Sequence, residues 1–403
     1  MIALTDAQRF VLGRIPPPRP VTVRIADALG LVLSAPVTAL DPIPPFDNTS
    51  VDGFALRASD VAHPPARLRI VGEVRAGEAV LPTVGEGEAV RIMTGAPIPP
   101  GADAVVMVEE TVSNGEWVTV GASVPSGAAI RPRGDSVAVG EVVLGAGTQL
   151  RAPHLGVLAE LGVVDAPVYA RLRVGVISTG DELVADGGPL APGQIRESNS
   201  ALLIGLLAEA GCIAVDYGIV RDDEPALREV LERGVSECDA LVTSGGVSMG
   251  EYDLVKGVLD ALGEMEWMQI AIKPAKPFAF GVLGAPARPV PVFGLPGNPV
   301  SSFVSFEVLA RPALRQMMGV GSPERPVVRA VADAPIARRH GDGKQHLVRV
   351  VGTFAPDGRL HVTSSGAQGS HQLAASAAAN GLGIVGDGEV IAVGSEIDVL
   401  YLD

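Results

Sequence analysis

The chain has 403 residues, which at roughly 100 to 200 residues per domain predicts several units rather than one. A formal net charge of −15 excludes a general grip on a nucleic-acid backbone, and 47% hydrophobic residues exclude a disordered chain. Two cysteines, Cys212 and Cys238, exclude a disulfide framework or a Cys-rich zinc module, and both are expected in the core.

In chain order, Thr5 to Gly13 is predicted as a short helix capped by Thr5, ending at Pro16-Pro17-Pro18. Residues Ile25 to Ala35 read as a second helix interrupted by Gly30. From Asp41 to Gly147, apolar runs such as Leu68–Val74, Ala104–Val108 and Trp117–Val120 alternate with Gly, Pro and Asn turns, which predicts a β-rich unit. Pro153 to Leu161 returns to helical spacing. Strands then alternate with helices: Leu172–Ile177 (strand), Ser198–Ala210 (helix capped by Ser198), Ile213–Gly218 (strand) and Glu224–Val235 (helix). Ala240–Thr243 (strand), Asp253–Leu262 (helix), Trp267–Ile272 and Val290–Leu295 (strands) and Val300–Met318 (long helix) continue the pattern. That alternation predicts a doubly wound, mostly parallel sheet. From Arg325 the chain is strand-like again, at Val327–Val331, His346–Val351, Leu360–Thr363 and Glu396–Tyr401.

The expected fold class is therefore multidomain α/β plus β. An N-terminal linking domain (1–44 with 146–168) carries a β-rich inserted domain (45–145). A doubly wound α/β domain (169–324) and a small β-barrel-like C-terminal domain (325–403) follow. The start shows no basic region followed by an apolar one, and no apolar run reaches the length that spans a bilayer. A cytoplasmic protein with neither membrane nor nucleic-acid partners is expected.

Ligands of open α/β sheets bind beyond the carboxyl ends of the strands. Three strand-to-helix loops there carry Gly and hydroxyl residues: Ser178-Thr179-Gly180-Asp181-Glu182, Ser244-Gly245-Gly246-Val247-Ser248, and Pro296-Gly297-Asn298-Pro299-Val300-Ser301. Any one of them would serve as a plain turn. Three on one edge favour an anion, which small residues and helix N-termini accommodate. Asp181, Glu182, Asp222, Asp223 and Asp253 share that edge, and carboxylates facing a phosphate call for a bridging cation such as Mg2+. For one of Asp222 and Asp223, a solvated residue ahead of a helix is the simpler reading. Only four of the 31 basic residues are lysine, and two, Lys273 and Lys276, stand together in Lys273-Pro274-Ala275-Lys276-Pro277, which suggests a small oxyanion. The six histidines show no metal-ligand spacing and no nucleophile stands out. The residues thus point to a metal-assisted transfer on a phosphate-bearing substrate, without a covalent enzyme intermediate.

With these loops stand Pro45-Phe46-Asp47-Asn48-Thr49-Ser50-Val51-Asp52-Gly53-Phe54-Ala55, Arg91-Ile92-Met93-Thr94-Gly95-Ala96-Pro97, Gly369-Ser370-His371 and Asn380-Gly381-Leu382. In this fixed order the motifs resemble the MoeA-type molybdopterin molybdenumtransferases, related to the E domain of gephyrin, over nearly the whole chain. The resemblance implies an elongated four-domain subunit that forms a homodimer with active sites shared between subunits. It implies insertion of molybdenum from molybdate into adenylyl-molybdopterin, with Mg2+ and release of AMP, alongside other molybdenum cofactor biosynthesis proteins. By position, Asp52, Thr94, Glu182, Asp222 and Asp253 match catalytic positions, the last three as metal ligands. Thr179, Gly180, Asp181, Ser244, Gly245, Gly246, Ser248, Lys273, Lys276, Pro296, Gly297, Asn298, Pro299 and Ser301 match the substrate-binding edge. Relatives tend to carry Arg-x-x-Gly-Glu-Asp where this chain has Arg131-Pro132-Arg133-Gly134-Asp135-Ser136, so Arg131, Arg133 and Asp135 are candidates with a shifted or halved acidic pair. Ala275 replaces a common glycine, and a backbone with φ > 0 there would be strained. The alternatives are a non-catalytic molybdopterin-binding scaffold of the same fold and a nucleotide-hydrolysing or amidase-type enzyme that shares only the α/β module.

Overall fold

The computed structural model describes residues 1–246, 254–337 and 341–403 (for Ala337, the backbone only). The chain divides into two compact units: residues 1–34, 147–151 and 165–403, and residues 35–146 with 152–164.

In the first unit, α1 (Leu4–Leu12) is followed much later by β1 (Arg173–Thr179), α2 (Asn199–Glu209), β2 (Ile213–Val220), α3 (Glu224–Glu237) and β3 (Ala240–Ser244). Then come α4 (Leu254–Leu262), β4 (Glu264–Gln269), β5 (Ile272–Lys273), β6 (Pro277–Leu283) and β7 (Val290–Leu295). The central sheet has the order β2-β1-β3-β7-β6-β4, parallel from β2 to β7 and antiparallel for β6 and β4. Its central strands β1, β3 and β7 are buried along almost their whole length and mostly apolar, as strands covered on both faces are. Phe280 and Phe293 pack with ring centroids 5.4 Å apart, and Phe10 of α1 meets Phe280 edge-on at 6.3 Å. Each such ring removed from water contributes about 1.5–3 kcal/mol, so α1 is tied to the sheet by its apolar side. Cys212 and Cys238 are buried thiols as expected, and desolvation pushes Cys212 up to about 12.

Several predicted elements differ. Only one 3-10 turn, Ile25–Asp27, forms within 25–35; Gly30 takes φ +80, and Val32 and Leu33 form bridges to Gln149 and Val168. Three consecutive apolar residues suit an extended segment buried on both sides better than a helix. Helix α1 begins at Leu4 behind Ala3, so Thr5 is not its cap, and Ser198 holds the cap position of α2 without bonding through its side chain. The expected strand over 267–272 is instead β4, displaced three residues earlier and antiparallel, after which the chain leaves the sheet.

The long helix predicted over Val300–Met318 is divided. It runs as α5 (Pro299–Ser305), a π turn over Phe306–Ala310, and α6 (Arg311–Met317). Pro312 has no N–H to donate to the preceding turn, and the wider turn absorbs that loss. The π turn buries Glu307, which receives Arg325 Nε at 2.9 Å and lies 3.8 Å from Arg311 Nε.

The C-terminal strands are β8 (Val327–Ala332), β9 (Gln345–Phe354), β10 (Leu360–Ser364), β11 (Gly381–Val385) and β12 (Glu396–Tyr401). They follow the order β9-β10-β8-β12-β11, and pairing of β11 back to β9 closes a small barrel filled by Val350, Leu360, Val362, Val385, Ile397 and Val399. Strand β5 adds to this barrel, parallel to β9. The second unit holds a curled six-stranded sheet in the order 104–107, 53–56, 88–92, 66–74, 117–120, 111–113, with Phe54, Leu56, Leu68 and Val118 in its core. No helix among the described residues is long and apolar enough to cross a membrane.

Candidate active site

The chain reverses direction across the α/β sheet between β1 and β3, since β2 lies outside β1 and β7 lies outside β3. That switch point is where an open sheet leaves a crevice. Register brings the loops together there: Ser178 pairs with Ser244, and Ser244 with Leu295, so the three loops leave the sheet at one level. Asn199, at the start of α2, ties two of them: its Nδ2 donates to Ser244 Oγ at 2.6 Å and to the Gly297 carbonyl at 2.7 Å. Glu197 accepts from Ser178 Oγ at 3.0 Å and from the Ser200 N–H at 2.9 Å, which fixes the loop after β1 to the same helix.

The glycines here have a steric cause. Gly246 has φ +66, and a Cβ on it would overlap Val255; Gly245 has φ +98 and faces Thr179. Thr179, Ser244, Pro296 and Ser301 are buried, whereas Gly297 and Asn298 are exposed ahead of Pro299, the first residue of α5. The Pro296 carbonyl accepts a bond from Ser302 Oγ. Ser248 and Asp253 lie outside the described residues.

Asp181 and Glu182 are exposed, and the Glu182 carboxylate folds over Gly180, within 2.6 Å of where a Cβ would stand. The Asp222 N–H donates to Asp181 Oδ1 at 3.4 Å, so the loops after β1 and β2 meet. Asp223 caps α3, accepting from the Ala226 N–H at 3.0 Å, and is thereby the helix-capping member of the Asp222–Asp223 pair. Among the described residues no three His, Cys, Asp or Glu side chains form a metal cage. Two exposed carboxylates on touching loops nevertheless suit Mg2+, which needs one or two of them and completes its shell with water and phosphate oxygens.

Lys273 lies on β5, in the barrel's sheet rather than the α/β sheet, and lines a cavity of about 390 Å³. His346, Ser364 and Gln368 supply the other polar walls, and Pro335, Ile336 and Leu347 supply apolar ones. Lys276 is exposed and does not line this cavity, so of the two lysines that the sequence groups only Lys273 does. Between them Ala275 is buried with φ +77, so the left-handed backbone is kept without glycine.

Sequence reasoning missed Arg349. It stands on β9 between Val348 and Val350, both in the barrel core, and its side chain is fully buried. Its Nη2 donates to the Ala367 carbonyl at 2.6 Å, while Nε and Nη1 have no partner among the described residues. Burial pulls its guanidinium below the ordinary range. An arginine inside an apolar strand was the available signal. The backbone joins this region to the sheet edge, since the Val300 N–H donates to the Ser370 carbonyl at 3.2 Å.

In the second unit, Asp52 and Thr94 form one constellation. Asp52 Oδ1 accepts from the Thr94 N–H at 2.7 Å and from Thr94 Oγ1 at 2.8 Å, and these bonds hold its carboxyl below the usual range. Arg131 pairs with Asn48, and the Arg133 N–H donates to Asp47 Oδ1 at 2.7 Å, so the Pro45–Asn48 motif shapes that exposed loop. Asp135 is exposed and bonds through its N–H to the Pro132 carbonyl.

Residues 2–162 match the MoeA N-terminal region (domain I and II), 175–316 the probable molybdopterin binding domain, and 329–402 the MoeA C-terminal region (domain IV). The chain is 38% identical to molybdopterin molybdenumtransferase 2 of Mycobacterium tuberculosis, over 99% of each chain. It is 36% identical to molybdopterin molybdenumtransferase of Haemophilus influenzae, over 93% of this chain and 92% of that one. The crystal structure of the molybdopterin biosynthesis protein MoeA from Pyrococcus horikoshii superposes with a TM-score of 0.80, at 29% identity and over the full length of both chains.

Proposed function

Because this chain belongs to the molybdopterin molybdenumtransferases, we propose that it inserts molybdenum from molybdate into adenylylated molybdopterin and releases AMP. The observation that carries the reading is the meeting of three Gly- and Ser-bearing loops in one row at the switch point, two tied by Asn199 and the third by Glu197.

The edge formed by Thr179, Gly180, Ser244, Gly245, Gly246, Gly297 and Asn298 binds the phosphate end of the substrate through close backbone approach. Glu182, Asp222 and Asp253 would hold Mg2+, which would offset the charge of the phosphoanhydride as it breaks. Lys273 and Lys276 hold the molybdate dianion, Lys273 from the cavity and Lys276 from the exposed edge, and Arg349 adds buried positive charge behind them. Orientation of the oxyanion against the dithiolene sulfurs is the chain's main contribution to rate. The resemblance extends the reading to a cytoplasmic homodimer in which Asp52 and Thr94 complete the site of the other subunit. It also supports the four-part division 1–44 with 146–168, 45–145, 169–324 and 325–403.

Lys273→Ala and Lys276→Ala test the division of roles. Each is expected to raise the molybdate concentration for half-maximal AMP release about tenfold while leaving the affinity for adenylyl-molybdopterin within about twofold. An unchanged molybdate titration in both variants would refute the assignment.

A further inference from the structure

Arg349 and Gln368 hold each other in both directions. Gln368 Oε1 accepts from the Arg349 N–H at 2.9 Å, and its Nε2 donates to the Arg349 carbonyl at 3.0 Å. In return, Arg349 Nη2 donates to the carbonyls of Ala367 at 2.6 Å and Gly369 at 3.4 Å, the residues on either side of Gln368. A backbone N–H only donates and a carbonyl only accepts, so the orientation of the Gln368 amide is fixed. Strand β10 ends at Ser364, and the Ser365 N–H still donates to the Arg349 carbonyl at 3.0 Å. Beyond that point the Gln368 amide lines the edge of β9 as another strand's peptide would. The segment it holds, Gly366-Ala367-Gln368-Gly369-Ser370, has no other long side chain. Gly366, Ala367 and Gln368 are exposed, so no buried apolar side chain pins them. The buried Arg349 guanidinium has these carbonyls as its partners among the described residues, so its place follows theirs.

We propose that Gln368 is a positioning residue for the oxyanion, whose amide fixes the loop that aims the Arg349 guanidinium. The inference rests on the reading that Lys273 holds molybdate with Arg349 behind it. A fixed cation attracts an anion according to its distance, and it loses that advantage when it shifts or gains freedom to turn. Without the amide, the Ala367 and Gly369 carbonyls lose their tie to β9 and the guanidinium follows them. Gln368 also lines the cavity that Lys273 lines, but its amide is already engaged, since Nε2 also meets Ser364 Oγ and the Gly366 carbonyl, each at 3.1 Å. It therefore acts through Arg349 and not as a ligand of the anion. Asn380 supplies an internal comparison. Its Oδ1 accepts from the Gly352 N–H at 2.7 Å and its Nδ2 donates to the Gly352 carbonyl at 2.9 Å, the same clip farther along β9 with no guanidinium depending on it.

Equilibrium dialysis with molybdate alone tests this on the full chain, with Gln368→Met, Asn380→Leu, Arg349→Met, the Gln368→Met and Arg349→Met pair, and Lys273→Ala. Methionine keeps a long side chain without the hydrogen bonds, and an apolar residue in place of a buried charge is often tolerated. Gln368→Met is expected to weaken molybdate binding about fivefold. Asn380→Leu is expected to lower the thermal midpoint at least as much as Gln368→Met does, yet to keep molybdate binding within about twofold. Adding Gln368→Met to Arg349→Met is expected to change molybdate binding by less than about twofold, because the two act as one unit. Unchanged binding in Gln368→Met, an equal loss in Asn380→Leu, or the full Gln368 effect in the Arg349→Met background overturns the inference. If Lys273→Ala weakens molybdate binding and Gln368→Met does not, the inference falls alone. If neither Lys273→Ala nor Arg349→Met changes it, the oxyanion reading falls as well.

Discussion

At the carboxyl edge of the α/β sheet, the residues facing a ligand come from short loops, each contiguous in sequence and each aimed by the strand before it. In the barrel, His346 and Asp342 come from one strand and the turn ahead of it, and they face Lys273 on β5, which joins the barrel's sheet. The first arrangement depends on backbone shape, through Gly246 and the bonds of Asn199. The second depends on charge brought together by tertiary packing. Small glycine-bearing loops suit a phosphate, whereas converging basic side chains suit a small oxyanion.

The largest effect expected is at the joint between these regions. Glu307→Ala leaves Arg325 and Arg311 without their buried carboxylate, and Arg325 also reaches the Leu402 carbonyl at the end of the barrel. A loss of about 3–5 kcal/mol is expected for breaking a buried pair from one side, measured by denaturant unfolding. A loss below ~1 kcal/mol would show that the joint does not depend on this cluster.

Asn199→Ala should break the edge without touching the barrel. Removing the donor to the buried Ser244 hydroxyl and to the Gly297 carbonyl should cost ~1–3 kcal/mol. Affinity for adenylyl-molybdopterin is expected to fall about tenfold while molybdate affinity is kept; equal losses for both ligands would merge the two regions into one site.

The barrel alone should respond to pH through His361. Its Nδ1 lies 2.7 Å from Asp333 and its Nε2 3.1 Å from Asp357, and these hydrogen bonds raise its pKa, the one to Asp333 first. A raised pKa means the contribution is complete below the unfolded value of 6.5 and is lost as pH rises through the folded value. The thermal midpoint of the wild type should therefore fall across that window, and His361→Gln should flatten the profile. A parallel profile in the variant would assign the slope elsewhere.

Much of the edge was legible in the sequence because its loops carry their own reasons for being glycine, serine or proline. The strand β7 was predicted at its observed bounds, and the Asp222–Asp223 pair resolved into one cap and one candidate. What stayed hidden depends on partners far away in the chain. Nothing around Lys273 announces that β5 joins the barrel rather than the α/β sheet, and nothing around Asp342 announces the lysine facing it. The helix expected over 25–35 failed because burial on both sides, a tertiary fact, outweighs local apolar spacing. The π turn that buries Glu307 was likewise invisible in a pattern that reads as one continuous helix.

The smallest effect expected is at Ala275, between the two lysines. Glycine would relieve about 1–2 kcal/mol of left-handed strain, but it would lose about 0.8 kcal/mol of methyl burial and about 0.5–1 kcal/mol of backbone entropy. Ala275→Gly should therefore change stability by less than ~1 kcal/mol, checked by the thermal midpoint. A larger gain would mean that the alanine strains the lysine loop more than its backbone geometry implies.

The most direct test supplies the purified chain with adenylyl-molybdopterin and Mg2+ and follows AMP. Release that begins on adding molybdate, in step with molybdenum bound to the pterin product, is the predicted result. AMP release that ignores molybdate, or none with all three supplied, would contradict molybdenum insertion as the work of this site.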